Sequence, residues 1–180
     1  MEFMLPNGQL LSIRFVDPGD AASLLDLFQK AVRESSYLLT TPKEADRFTV
    51  AQEREFISGC LRNPNNCFLV AVVQDRIVGS ANVTQSKFQK QAHVGEFGIL
   101  VLKQFWNLGI GRKLMHAMEQ WIQENSMIRY LQLQVLASNG RAIHMYQNFG
   151  FSEEGHLARA VRQDKNTYQD LILMGKWLKQ

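Results

Sequence analysis

Apolar residues recur along this chain with two periods. Leu131-Gln132-Leu133-Gln134-Val135 alternates strictly, as a strand with one face in the core does. Residues 68–73 and 77–83 are apolar runs separated by Gln74-Asp75-Arg76, which predicts an antiparallel hairpin. Ile110, Leu114, Met118 and Trp121 or Ile122 follow steps of three and four, the buried stripe of a helix whose outer face carries Arg112, Lys113, Glu119 and Gln123. The same reasoning predicts a strand at 10–16, a turn at Asp17-Pro18-Gly19-Asp20, and a helix capped by Asp20 that turns Ala21, Leu24, Leu25, Leu27 and Phe28 inward. Residues 35–42 read as a loop. Thr49 with Gln52 three places on forms a capping box for a helix over 49–61, ended by Asn63-Pro64. A strand at 93–102, a short helix over 139–149 closed by Gly150, and two strands at 152–161 and 168–174 complete the chain.

This order predicts a mixed α/β protein: a mostly antiparallel central sheet of about seven strands with helices on both faces. A length of 180 residues fits a single domain, 1–180, and 46% hydrophobic with 21% charged residues is an ordinary globular balance. The net charge of +3 suits a small anionic ligand, while the absence of dense Lys/Arg runs argues against nucleic acid. Cys60 and Cys67 have no second pair, which fits neither a zinc site nor a disulfide framework, so no metal is expected. Reduced thiols, and a start without a basic-then-apolar leader or a membrane-length apolar run, give the expectation of a cytoplasmic protein with no membrane partner.

The densest chemistry lies in Val101-Leu102-Lys103-Gln104-Phe105-Trp106-Asn107-Leu108-Gly109-Ile110-Gly111-Arg112-Lys113-Leu114. A strand enters a turn with two glycines and an amphipathic helix leaves it, so unpaired N–H groups at the positive end of the helix dipole offer a seat for phosphate. Two glycines spaced in this way also serve as plain helix punctuation. The dinucleotide fingerprint would need a third small residue at Leu114 and an acid where Gln132 and Gln134 stand; the P-loop would need Ser or Thr after Gly-Lys. What is left resembles the acyl-CoA pyrophosphate loop of the GNAT superfamily of N-acyltransferases, Gln/Arg-x-x-Gly-x-Gly/Ala after a strand ending in Val. Val101, Gly109 and Gly111 match, and Trp106 stands where Gln or Arg is usual. Asn139-x-x-Ala142-x-x-x-Tyr146-x-x-x-Gly150-Phe151 looks like the family's second acyl-CoA signature, and the predicted element order is that of its fold.

The resemblance implies acetyl-CoA as co-substrate and an amine acceptor. It implies acyl-CoA contacts from Ile99, Leu100, Val101, Gln104, Leu108, Gly109, Ile110, Gly111, Arg112, Asn139 and Tyr146, with backbone N–H groups around Leu100 and Val101 facing the oxyanion. It gives Tyr146 as the acid for the departing thiolate and Glu96 as the base for the amine. Each has a plainer alternative: Tyr146 as core aromatic, Asn139 as helix cap, Arg112 and Lys113 as a solvated face, Glu96 as a surface carboxylate. Ile13-Arg14, the Asp17/Asp20 turn and Tyr168-x-Asp170 look similar to members that acetylate protein N-termini, such as those of ribosomal proteins. Small-molecule members, acting on polyamines, amino acids or aminoglycosides, share these features, and a non-catalytic acyl-CoA sensor is the competing class. A homodimer is compatible with all of these.

Overall fold

The computed structural model describes residues 1–178; Lys179 and Gln180, which the expected domain includes, lie outside the described residues. In chain order the elements are β1 (Glu2–Met4), β2 (Leu10–Phe15), α1 (Ala21–Glu34), α2 (Pro42–Ala45), α3 (Val50–Arg62), β3 (Cys67–Val73), β4 (Arg76–Gln85), β5 (Val94–Val101), α4 (Ile110–Asn125), β6 (Tyr130–Leu136), α5 (Gly140–Asn148), β7 (Ser152–Arg162) and β8 (Tyr168–Trp177). The strands form one 8-stranded sheet in the order β1-β2-β3-β4-β5-β6-β8-β7. The pairs β1–β2, β2–β3, β3–β4, β6–β8 and β7–β8 are antiparallel, and β5–β6 is parallel. The strand beyond the expected number is β1, three residues whose pattern is too short to carry a period.

The chain divides into two compact units: Met1–Thr84 with Gly98–Met127, and Gln85–Phe97 with the chain from Ile128 on. In the first unit β3 is buried along nearly its whole length. Phe68 and Val70 join a core cluster with Leu24, Leu27 and Ala31 of α1 and Ile57 and Cys60 of α3. Leu69, Ala71 and Val73 alternate to the opposite face of the strand, and α4 also packs on β3. Helices therefore cover both faces there, as the sequence predicts. The α4 stripe buries Ile110, Leu114, Met115, Ala117, Met118 and Ile122.

Local signals explain most element ends. Thr49 and Gln52 form the expected capping box, and Thr41 with Glu44 forms a second one that starts the short α2, inside a stretch the sequence reads as irregular. The Asp20 cap is corrected. Asp17 caps a 3-10 turn over Pro18–Asp20, and the Asp20 carboxylate instead accepts from the Asp17 N–H at 2.8 Å and from the Arg14 guanidinium at 2.7 and 2.8 Å. The hairpin between β3 and β4 turns on Gln74 and Asp75, at φ 50° and 58°, so Arg76 already belongs to the strand. In the second unit β6 pairs along its length with β8, Gly150 closes α5 at φ 83°, and Leu133, Val135, Phe151, Leu171 and Met174 are buried.

Candidate active site

In the first unit, β5 delivers Ile99, Leu100 and Val101, each partly buried, to a 3-10 turn over Lys103–Phe105 and then to the start of α4. Leu102 is buried at 2% exposure and its N–H bonds the Val78 carbonyl at 3.0 Å, which anchors the point where the chain leaves the sheet. The Lys103 N–H is held by the Glu34 carboxylate at 2.9 Å. Trp106, at the position where the family uses Gln or Arg, donates its indole N–H to the Val101 carbonyl at 2.7 Å. Its polar atom thus ties the turn back onto the strand.

Asn107 and Gly109 both take left-handed backbone, φ 63° and 80°. Gly109 is the N-cap of α4 and supplies no side-chain cap, and the first bond into the helix runs from the Lys113 N–H to the Gly109 carbonyl at 3.1 Å. Among the described residues, the N–H groups of Asn107, Leu108, Gly109, Ile110, Gly111 and Arg112 have no protein acceptor. Most helices satisfy part of this set with a Ser, Thr or Asp cap; here a glycine in left-handed geometry leaves it open. Successive amides open in this manner, at a helix start, suit an anion such as a pyrophosphate. Arg112 is exposed and makes no ion pair among the described residues, whereas the Lys113 ammonium lies 4.3 Å from the centre of the Phe3 ring. Asn107 is the member of this loop that sequence reasoning missed. Asn before a Leu-Gly step, a residue tolerant of positive φ, was the available signal.

In the second unit β5 begins with Val94, Gly95, Glu96 and Phe97. Its parallel ladder to β6 pairs Val94 with Tyr130, Gly95 with Leu131 and Glu96 with Gln132, and among the described residues β6 from Leu133 onward pairs only with β8. Phe97 is buried and meets Tyr146 edge-on at 6.4 Å between ring centres, and Phe151 lies 5.8 Å from Tyr146. Glu96 alternates to the other face of the strand, is exposed, and has no partner among the described residues. Gly98 is crowded by β4. A Cβ there would stand 2.9 Å from the Asn82 side-chain oxygen.

Tyr146 is 8% exposed on α5. Its hydroxyl has no hydrogen-bond partner among the described residues, yet none of their fully enclosed side-chain N or O atoms is unsatisfied, so the hydroxyl keeps an opening to solvent. Burial pushes its pKa up to about 12, which holds the proton on oxygen at neutral pH. Asn139 caps α5, its side-chain oxygen accepting from the Ala142 N–H at 3.2 Å. The capping role expected of it is present, and its amide nitrogen makes no bond among the described residues.

Residues 25–151 match the family model described as acetyltransferase (GNAT) family. The chain belongs to the GNAT family. A GNAT acetyltransferase from Streptococcus pneumoniae superposes with TM-score 0.88 at 29% identity, covering 93% of this chain and 99% of that one. The L-amino acid N-acetyltransferase AaaT of Escherichia coli is 30% identical over 87 residues, 48% of this chain and 54% of that protein, so the chain spans about half the length of this relative. The spermidine N(1)-acetyltransferase of Vibrio cholerae is 26% identical over 120 residues, 64% of this chain and 68% of that protein. No helix among the described residues is long and apolar enough to cross a membrane.

Proposed function

We propose that this GNAT protein transfers an acetyl group from acetyl-CoA directly to a primary amine in a ternary complex. The observation that carries the reading is the run of six open amides from Asn107 to Arg112 at the left-handed Gly109 turn. A family-specific loop with no internal acceptors for its N–H groups fits the pyrophosphate of CoA. When bound, acetyl-CoA supplies a thioester whose C–S bond breaks as the amine nitrogen bonds the carbonyl carbon. The open amides hold the anion, and Arg112, which makes no ion pair among the described residues, adds charge at the rim. The N–H groups at Leu100 and Val101 are proposed as donors to the oxyanion, a role that main-chain groups fill without reorganising.

Tyr146 donates its proton to the departing sulfur. A phenol held protonated by burial is a suitable donor, and its hydroxyl has no competing acceptor among the described residues. Glu96 accepts the proton that the amine loses, directly or through water; exposed and unpaired, its carboxylate is available for that task. The two relatives are named for different acceptors, an amino acid and a polyamine, and a primary amine is the group the two share. A protein N-terminal amine, suggested by the Ile13-Arg14 and Tyr168-x-Asp170 likenesses, belongs on the same panel.

The test is release of CoA thiol from acetyl-CoA with a panel of amino acids, polyamines and peptides. Turnover on at least one amine is expected, with Tyr146→Phe lowering kcat by roughly 100-fold at little change in the KM for acetyl-CoA. Tight acetyl-CoA binding with no turnover on any amine would favour a sensor, and unchanged kcat in Tyr146→Phe would remove Tyr146 as the acid.

A further inference from the structure

The first unit has a cavity of about 440 Å³ that the reading above does not use, lined by Leu39, Thr40, Glu44, Arg47, Phe48 and Gln52. Its frame is fixed from several sides. Thr41 and Glu44 lock the start of α2, the Gln29 side chain donates to the Ala45 carbonyl at 3.1 Å, Ala45 is fully buried, and Arg33 pairs with Asp46. The apolar part of the wall is Leu39, 56% exposed, and Phe48, 46% exposed, and Phe48 is propped edge-on against Phe28 at 5.8 Å between ring centres. The same stretch of chain is moored to the end of β5. Glu34 holds the Lys103 N–H, and Leu38, Leu100 and Phe105 pack on one core cluster.

The lining carries one acid and one base, and they differ in what they are free to do. One oxygen of Glu44 accepts from both the N–H and the hydroxyl of Thr41, at 2.8 and 2.7 Å. These bonds, the backbone N–H first and helped by nearby Arg47, hold its carboxyl below the usual range. Arg47 makes no hydrogen bond or ion pair through its guanidinium among the described residues. A cavity with balanced charge, in which the carboxylate is committed and the guanidinium is not, suits an anion better than a polycation. Its open apolar walls suit a hydrocarbon or aromatic side chain.

We propose that this cavity receives the acceptor and that the acceptor is a small amine bearing a carboxylate and an apolar side chain, with Arg47 holding the carboxylate. The inference rests on the acetyltransferase reading and names the substrate class for it. A guanidinium meets a carboxylate through two parallel N–H donors, which an uncharged amide or ester cannot match. A polyamine has no carboxylate, and neither does a peptide beside its N-terminal amine, so both lose this contact.

The experiment compares L-phenylalanine, L-leucine and L-methionine with their primary amides and with spermidine, in acetyl transfer and in direct binding by calorimetry without acetyl-CoA. The free acid of at least one pair is expected to exceed its amide by roughly tenfold or more in kcat/KM and in affinity. Arg47→Gln should erase that ratio by raising KM while kcat holds, and Arg47→Lys should restore part of it. Equal acid and amide in wild type, a preference for spermidine, or an acid-to-amide ratio unmoved by Arg47→Gln would overturn the proposal. Turnover on amines that is indifferent to Arg47 would leave the acetyltransferase reading standing while removing this one. A free acid that binds through Arg47 without any turnover would do the reverse.

Discussion

Tyr146 shows how burial alone can prepare a side chain for acid chemistry. Phe97 and Phe151 surround its ring, and desolvation, with no charged neighbour needed, raises the phenol to about 12. An unfolded tyrosine titrates near 10, so the native state binds its proton more tightly. The linked stability is fully present below about pH 10 and is lost as pH rises toward 12. Tyr146→Phe is therefore expected to lose less stability than wild type between those values, measured by urea denaturation at a series of alkaline pH values. An equal loss in both proteins would mean that Tyr146 is not the buried phenol described. The motif Asn139-x-x-Ala142-x-x-x-Tyr146 was legible in the sequence, but the free hydroxyl was not, since it depends on what the fold withholds from it. Trp106 was legible only as a departure from the family pattern. That its N–H closes onto Val101 follows from the turn's geometry, which no spacing encodes.

At the level of elements, period and caps carried most of the information. The stripe of α4 and the capping box of α3 are visible because a helix repeats its face and an N-cap needs a partner three residues on. The short β1 and α2 repeat nothing, and the sequence shows them only as a flank and a loop. The α4 stripe predicts that Leu114→Ala, at 0% exposure, costs about 2–5 kcal/mol in urea unfolding. A cost within experimental error would mean the helix does not pack by that face. The β3–β4 turn gives the opposite kind of test. Gln74 and Asp75 both sit at positive φ, where Asn-Gly is better suited, so Gln74→Asn with Asp75→Gly should raise stability by about 1 kcal/mol. Thermal melting would show it as a higher Tm.

For the whole molecule, the family and the sheet were legible from element order, while the acceptor site proposed here was not, because it depends on the tertiary placement of Arg47 and its neighbours. Strand β5 contributes its first half to one compact unit and its second half to the other. We propose that the chain unfolds as one domain. Trp106 and Trp121 report on the first unit and Trp177 on the second, so single-tryptophan variants should give coincident denaturation curves. Separate midpoints would refute a single cooperative domain.

The central claim is that the open amides between Asn107 and Arg112 hold the pyrophosphate of CoA, and Gly111→Asp addresses it most directly. A carboxylate near a helix start favours the fold, through the same dipole that attracts phosphate, so α4 should persist while the anion is repelled. Calorimetric titration with CoA should show affinity falling by about 2 kcal/mol, roughly thirtyfold, in Gly111→Asp at unchanged Tm of the free protein. Undiminished CoA affinity in a folded Gly111→Asp variant would contradict the account.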